Sequence, residues 1–201
     1  MSIDPLSFYN FLSSRGINFF TGVPDSLLKE FCLCIDKKIN DQNHIIAANE
    51  GNAIALASGY FLEKESLPLV YMQNSGLGNA INALLSLCDE KVYSIPIILL
   101  IGWRGEPGIK DEPQHTKQGL IQLDLLSTLD IPYEVISQND EKYKDKIQKT
   151  IDFAKANSRP SAILIKKDTF SKTERSSEAP KKFPMYREEA LKIILRNLDN
   201  N

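Results

Sequence analysis

The stretch IPIILLIG, residues 95–102, is apolar at nearly every position. A strand with one wet face alternates apolar and polar residues, whereas a strand covered by helices on both faces is apolar throughout. We therefore expect a parallel sheet with this stretch as a central strand.

The segments on either side of this stretch alternate between short apolar runs and helical spacing. The runs that predict strands are 17–21, 44–48, 69–73, 133–136 and 162–166. The segments that predict helices are 5–16, 28–35, 50–62, 78–87, 120–129 and 142–156. The helix at 50–62 is small and apolar enough to be fully buried. The pattern predicts an α/β fold, a three-layer, doubly wound, six-stranded parallel sheet spanning residues 1–168.

The composition changes after Asp168. Residues 169–184 are rich in Ser, Lys, Glu and Pro, which predicts a polar linker. Residues 185–201 contain a helix up to Leu198, with an apolar face made of Ala190, Ile193, Ile194 and Leu198. We interpret this helix as the first element of a missing domain or as a docking helix.

Charge and cysteine content exclude several classes of protein. The 201 residues carry 24 Lys and Arg against 26 Asp and Glu, without a basic stripe, so we expect no binding to nucleic acid. No apolar run could span a bilayer, and the acidic N-terminal segment is unlike a signal peptide, which predicts a cytoplasmic protein. The three cysteines are odd in number and lie in apolar helical patterns, so we expect buried thiols.

Ligands of open parallel sheets bind beyond the carboxyl ends of the strands, and Glu50 lies at such an end. It opens the apolar helix predicted at 50–62, so its carboxylate should be partly desolvated. A simpler interpretation is an acid placed at a helix start by the helix dipole.

The next strand end carries NSGLGN, residues 74–79. The spacing is close to a dinucleotide fingerprint, but Ile81 stands where the third glycine belongs. The glycines would allow close approach of a flat or anionic ligand, with Asn74, Ser75 and Asn79 as hydrogen-bonding groups. A tight turn from strand to helix is the alternative.

The central strand is followed by a long segment, residues 103–116, which we expect to be irregular and functional. His115 in this segment suits acid–base chemistry near neutral pH. Asp25, after the first strand, could form a proton-handling pair with it or could only cap a helix. His44 opens a strand and is expected to be structural.

Four motifs taken together are more specific than any one of them. They are GVPDS at 22–26, ANEGNAIALASGY at 48–60, QNSGLGNAINAL at 73–84 and GWRGEPGIKDEPQHTKQG at 102–119. In this order they resemble the pyrimidine-binding domain of thiamine diphosphate-dependent decarboxylases, in particular the phosphonopyruvate decarboxylase family, with the sulfopyruvate decarboxylases as close relatives.

The resemblance implies a role for Glu50. In that family a glutamate of a six-stranded parallel domain hydrogen-bonds the aminopyrimidine ring of thiamine diphosphate and protonates a ring nitrogen. The activated cofactor then serves as the electron sink for departing CO2. The remaining cofactor contacts implied by the resemblance are Pro24, Asn74, Ser75, Gly76, Leu77, Gly78 and Asn79.

The resemblance also implies substrate contacts. Asp25, His115 and Thr116 would surround the substrate and handle the proton that replaces CO2. Gln114 stands where several relatives have the first of two histidines, so its role stays open. Arg104 and Lys110 could bind the phosphonate or sulfonate group, with solvated loop charges as the alternative.

The family binds Mg²⁺ and the diphosphate through a Gly-Asp-Gly motif in a second domain, and this sequence contains no Gly-Asp-Gly. We therefore expect Mg²⁺ and the diphosphate to be held by a missing domain or a partner subunit in a homo- or hetero-oligomer. The leading hypothesis is a decarboxylase of 3-phosphonopyruvate. The alternatives are the alpha subunit of a sulfopyruvate decarboxylase, a non-catalytic α/β binding module, and a nucleotide-dependent oxidoreductase.

Overall fold

The computed structural model of the chain describes residues 1–172 and 185–198. The helices are α1 Pro5–Ser14, α2 Lys29–Lys38, α3 Glu50–Lys64, α4 Leu77–Ala83, α5 Pro113–Thr128, α6 Tyr143–Asn157 and α7 Arg187–Leu198. The strands are β1 Phe20–Gly22, β2 His44–Ile46, β3 Leu69–Gln73, β4 Ile98–Gly102, β5 Tyr133–Ile136 and β6 Ser161–Ile165. Within these residues, no helix is long and apolar enough to cross a membrane.

The six strands form one sheet in the order β2-β1-β3-β4-β6-β5, and every neighbouring pair is parallel. This confirms the predicted sheet. All five residues of β4 are buried, and β4 pairs with β3 and β6 in the middle of the sheet, so the prediction from residues 95–102 is confirmed. The strand itself begins only at Ile98.

Two apolar clusters cover the two faces of the sheet. One is built from side chains of α1, α2 and α6, including Phe8, Leu12, Phe31, Ile35, Ile147 and Ile151. The other is built from α3, α4 and α5, including Ala53, Ile54, Ala57, Leu77, Ala80 and Leu126. The strand order changes direction after β2 and again after β5, so right-handed crossovers place α2 and α6 on one face and α3, α4 and α5 on the other. The sheet is therefore doubly wound.

Helix α3 is only half buried, which corrects the prediction that it is fully covered. Ala53, Ile54 and Ala57 face the core, whereas Leu56 on the opposite side is 39% exposed. One side of α3 packs against the sheet and α4. The other side is open in the described chain.

Two helix boundaries differ from the predictions for physical reasons. The segment after β3 turns into a 3-10 turn at Asn74–Gly76, so α4 begins at Leu77 and is followed by a π turn, Leu84–Cys88, whose two end residues are both buried. Helix α5 begins at Pro113, seven residues before the predicted start, because a proline at the first helical position has a pre-organised φ.

Packing continues past Asp168, since Ile3 and Phe170 form a parallel bridge and Phe170 lies in the first cluster. Of the predicted linker, residues 173–184 lie outside the described residues. Helix α7 forms as predicted, with Ile193 and Ile194 about half exposed. The cysteines are free thiols, with Cys34 and Cys88 buried and Cys32 partly so.

Candidate functional site

Glu50 is the first residue of α3, and its residue surface is 8% exposed. Asn49 precedes it in an extended conformation and caps the helix by accepting a hydrogen bond from the Asn52 backbone N–H at 2.9 Å. The carboxylate therefore sits at a helix N-terminus, where the dipole favours negative charge. Asn79 Nδ2 donates to Glu50 Oε2 at 3.0 Å. Across the described residues, Oε1 receives no hydrogen bond from the protein.

Gly76 makes room for the Glu50 side chain. A Cβ placed on Gly76 would lie 2.3 Å from Glu50 Oε1, and no such contact exists at Gly78, which faces open space. The close approach that the glycines of residues 74–79 predicted is thus made at Gly76 by the Glu50 carboxyl. Gly76 shapes the surroundings of the carboxylate.

Asn74 ties the turn after β3 to the segment after β4. Its side chain is fully buried, donates from Nδ2 to the Arg104 carbonyl at 2.8 Å and accepts from the Arg104 N–H at 3.1 Å. Ser75 Oγ accepts from Gln73 Nε2, and Leu77 packs into the second cluster. All three residues are predicted cofactor contacts, and Asn74 alone among them joins the two strand ends.

Asp25 follows β1 and is 6% exposed. Its Oδ1 accepts from the Leu27 N–H at 3.0 Å, so it caps the turn before α2 and not α2 itself. The carboxyl also lies against the end of β4, where a Cβ on Gly102 would be 2.1 Å from Oδ1. Asp25 Oδ2 is buried and makes no hydrogen bond within the described chain.

Burial raises the pKa of the Asp25 carboxyl above its ordinary value, and the backbone N–H groups of Leu27 and Ser26 oppose that rise. The positive charge of Arg104, and that of His115 when it is protonated, oppose it as well. Asp25 and Pro24 line a cavity of about 380 Å³ on the α2 side. A carboxyl with a raised pKa and an unbonded oxygen can take up or release a proton.

His115 and Thr116 lie in the first turns of α5, which corrects the prediction of an irregular segment over 103–116. The His115 Nδ1 lies 3.0 Å from Asp111 Oδ1. The preceding loop packs directly on this helix, because a Cβ on Gly119 would be 1.7 Å from the Gly105 carbonyl oxygen. The side chain of Thr116 is exposed, so the structure brings His115, but not Thr116, into the cluster.

Asp111 is the residue of this site that the sequence reasoning missed. It receives hydrogen bonds from Arg104, His115 and the backbone N–H groups of Gly105 and Glu112. The Arg104 guanidinium is the largest of the influences that hold the pKa of Asp111 far below its usual range. Its spacing, four residues before His115, is not a helical signal, because Asp111 lies in the loop before α5.

Arg104 is held in place rather than solvated as a loop charge. Its Nε donates to Asp111 Oδ2 at 2.8 Å, its Nη2 to Oδ1 at 2.5 Å and its Nη1 to Ser26 Oγ at 2.7 Å. It lines a cavity of about 160 Å³ with the exposed Lys110 and with Lys167, which the sequence reasoning did not single out. Both acids of this cavity are already paired, Asp111 with Arg104 and Glu106 with Lys166.

The site therefore has two parts joined by Asn74. The first contains Glu50, Asn79 and Gly76, and the second contains Asp25, Arg104, Asp111 and His115. His44, predicted to be structural, contacts Tyr71 Oη at 2.9 Å through Nε2, with Nδ1 3.6 Å from Asp36.

Comparisons with known proteins show the family of the chain. Residues 7–127 match the family model described as thiamine pyrophosphate enzyme, N-terminal TPP binding domain. The chain is 37% identical over 133 residues to phosphonopyruvate decarboxylase of Streptomyces viridochromogenes, covering 65% of this chain and 32% of that protein. It is 38% identical over 136 residues to the sulfopyruvate decarboxylase subunit alpha of Methanococcus maripaludis, covering 68% of this chain and 78% of that subunit.

Among solved structures, the chain superposes on the thiamine diphosphate-dependent 4-hydroxybenzoylformate decarboxylase of Rhodococcus jostii with a TM-score of 0.59 and 17% identity, covering 98% of this chain and 38% of that one. At this identity the likeness concerns the fold. The chain spans about a third of the length of the Streptomyces phosphonopyruvate decarboxylase that it matches. The match over 7–127 covers more than half of the sequence, and the chain belongs to the thiamine pyrophosphate enzyme family, whose N-terminal TPP binding domain it contains.

Proposed function

We propose that this chain is the pyrimidine-binding half of a thiamine diphosphate-dependent decarboxylase that converts 3-phosphonopyruvate to phosphonoacetaldehyde and CO2. The observation that carries the proposal is the Glu50 carboxylate at the start of α3, nearly buried and bonded on one oxygen by Asn79. A sulfopyruvate substrate is the second candidate, since the chain is as similar in sequence to a sulfopyruvate decarboxylase subunit as to a phosphonopyruvate decarboxylase.

The residues around Glu50 fit the pyrimidine end of the cofactor. Oε2 is occupied by the Asn79 amide, whereas Oε1 accepts no hydrogen bond in the described part of the chain and, when it carries a proton, can donate it to a ring nitrogen. Gly76 has no side chain, and any side chain at this position would collide with the Glu50 carboxyl. Asn79 thereby fixes the carboxylate in one orientation for its ligand.

The chain's own residues have separable tasks. Bound thiamine diphosphate would supply the carbon nucleophile and the electron sink for loss of CO2 from a 2-oxo acid. Glu50 holds or gives a proton at its free oxygen. Asp25, whose carboxyl has a raised pKa, and His115 would deliver the proton that replaces CO2. Of the remaining predicted contacts, Pro24 and Gly78 stay part of the proposal as walls of the site, whereas Leu77 is buried in the second cluster and Thr116 is exposed outside the site.

The diphosphate and Mg²⁺ would be held by another domain or subunit in an oligomer, which we place in the cytoplasm. Two observations support a partner. The sulfopyruvate decarboxylase relative is itself named as one subunit. Apolar side chains are also exposed on the open side of α3, where Leu56 is 39% exposed, and in the segment after α4, where Leu85 is 46% exposed. Apolar groups on adjacent helices are typical of a protein interface.

Gly76→Ala tests the first part of the site. The new methyl group would overlap Glu50 Oε1, so the carboxyl must move, while the backbone φ of −69° suits alanine. We expect the assembled enzyme to lose about 10²-fold or more of its kcat while its thermal unfolding changes little. Wild-type kcat in the alanine variant would show that the position of this carboxyl is unimportant.

Lys110→Gln and Lys167→Gln test the second part. Each removes a cation beside the 160 Å³ cavity, where the acids are already paired. Loss of one charged contact with a phosphonate should raise KM about tenfold for 3-phosphonopyruvate and leave KM for pyruvate unchanged. Lys64→Gln, at the far end of α3, is the matched control and should have no effect. Equal KM changes for both substrates would place the anionic group elsewhere.

A further inference from the structure

Asp111 is a five-donor acceptor in the loop between β4 and α5. Its Oδ2 accepts from Arg104 Nε and the Gly105 N–H, each at 2.8 Å. Its Oδ1 accepts from Arg104 Nη2 at 2.5 Å and the Glu112 N–H at 2.8 Å, and lies 3.0 Å from His115 Nδ1. The Asp111 side chain is 15% exposed, so these bonds lie largely out of water. Charge-assisted bonds of this kind are about twice as strong as neutral ones.

The contact with His115 decides which ring nitrogen carries the proton. An ionised carboxylate can only accept hydrogen bonds, and a neutral imidazole has one donor and one acceptor nitrogen. Because Nδ1 faces Asp111, Nδ1 must be the donor, and Nε2 keeps its lone pair. In the described residues, no protein group bonds Nε2. The lone pair of His115 Nε2 can then accept a proton within the site.

The contact of Asp111 with Arg104 also fixes the orientation of the Arg104 guanidinium. The two parallel bonds to Asp111 form a planar fork, and Ser26 holds the third guanidinium nitrogen from the segment after β1. Asn74 holds the Arg104 backbone from the segment after β3. One carboxylate thus joins the positions of a proton-handling histidine and of a substrate-facing arginine.

We propose that Asp111 is the positioning residue of this site, which holds His115 in the Nδ1–H tautomer and Arg104 in its forked orientation. The inference deepens the proposed function and rests on it for its effect on turnover. Its structural content, the tautomer, can be measured on this chain alone.

The test uses nitrogen NMR of the chain labelled with ¹⁵N-histidine. The sequence has only two histidines, so His44→Gln assigns the His115 signals. At about pH 8.5, well above the ordinary histidine pKa, we expect His115 to show one dominant tautomer with the proton on Nδ1. In Asp111→Asn, whose amide can also donate, the Nε2–H tautomer should become populated. Asp124→Asn, an exposed aspartate of α5, is the matched control and should leave the signals unchanged.

A second test measures the activity of the assembled enzyme. Asp111→Asn should lower kcat by on the order of 10²-fold or more and alter the pH profile, which a purely structural residue would not do. A dominant Nε2–H tautomer in the wild-type chain would overturn the inference, even where the asparagine variant fails to fold. Signals unchanged by Asp111→Asn would overturn it as well. The expected tautomers in a chain that never yields a decarboxylase would instead count against the proposed function alone.

Discussion

Glu50→Gln should abolish decarboxylation by the assembled enzyme and leave the fold intact. Glutamine keeps the size of the side chain and can still meet Asn79, so α3 and its cap at Asn49 are preserved. The amide cannot exchange a proton with a ring nitrogen, and loss of a general acid or base typically costs about 10² to 10⁴ in rate. The measurement is kcat in the presence of thiamine diphosphate and Mg²⁺, together with the thermal unfolding midpoint.

Glu63→Gln is the matched control, because it makes the same substitution on the same helix at an exposed position whose only described ion pair is with Lys64. It should retain full activity. An active Glu50→Gln variant would remove the basis for assigning Glu50 to the cofactor, whereas equal losses in both variants would point to damage in α3.

Gly119→Ala should destabilise the chain and displace the His115 segment. Gly119 is buried in α5, and its missing side chain leaves room for the Gly105 carbonyl oxygen, 1.7 Å from where a Cβ would stand. The Trp103 indole N–H also donates to the Gly119 carbonyl at 3.0 Å, so the contact is fixed from both sides. Backbone must move, and overpacking of this kind costs about 1–3 kcal/mol. Urea unfolding of the isolated chain measures the loss.

Gly59→Ala should change the free energy of unfolding in the opposite direction. Gly59 is also inside a helix, but it is exposed and nothing lies within 4 Å of a Cβ built there. Replacing such a glycine by alanine should add about 0.5–1 kcal/mol to the free energy of unfolding. If both variants unfold at the same urea concentration, the loop does not pack on α5 as described.

The fold was predictable because its signal is local. The apolar run at 95–102 and the alternation around it are enough to predict a parallel sheet, and strands β3 and β5 lie where the sequence placed them. The start of α5 was not predictable from periodicity, because residues 113–119 contain no aliphatic or aromatic apolar side chain that could mark a buried helix face. The open side of α3 was missed because small apolar residues look the same whether their cover is this chain or another.

The sequence indicates candidate residues for the site, but it does not show which residues they contact. Asp25, Glu50 and Arg104 follow the ends of strands β1, β2 and β4, where a parallel sheet gathers its functional side chains, whereas His115 reaches the site from the first turn of α5. Hydrogen bonds between segments 30 residues apart, such as Asn74 with Arg104, leave no trace in local spacing. For the same reason the sequence does not show that Gly76 packs against the Glu50 side chain.

We propose that this chain supplies Glu50 to a cofactor whose diphosphate is held by another domain or subunit. The direct measurement is CO2 release from 3-phosphonopyruvate and from sulfopyruvate with thiamine diphosphate and Mg²⁺, by the chain, by a co-expressed diphosphate-binding subunit, and by both together. We expect release only from the two together, and only with Glu50 present. Decarboxylation by the chain alone, or at the wild-type rate by an assembly carrying Glu50→Gln, would contradict this assignment of Glu50.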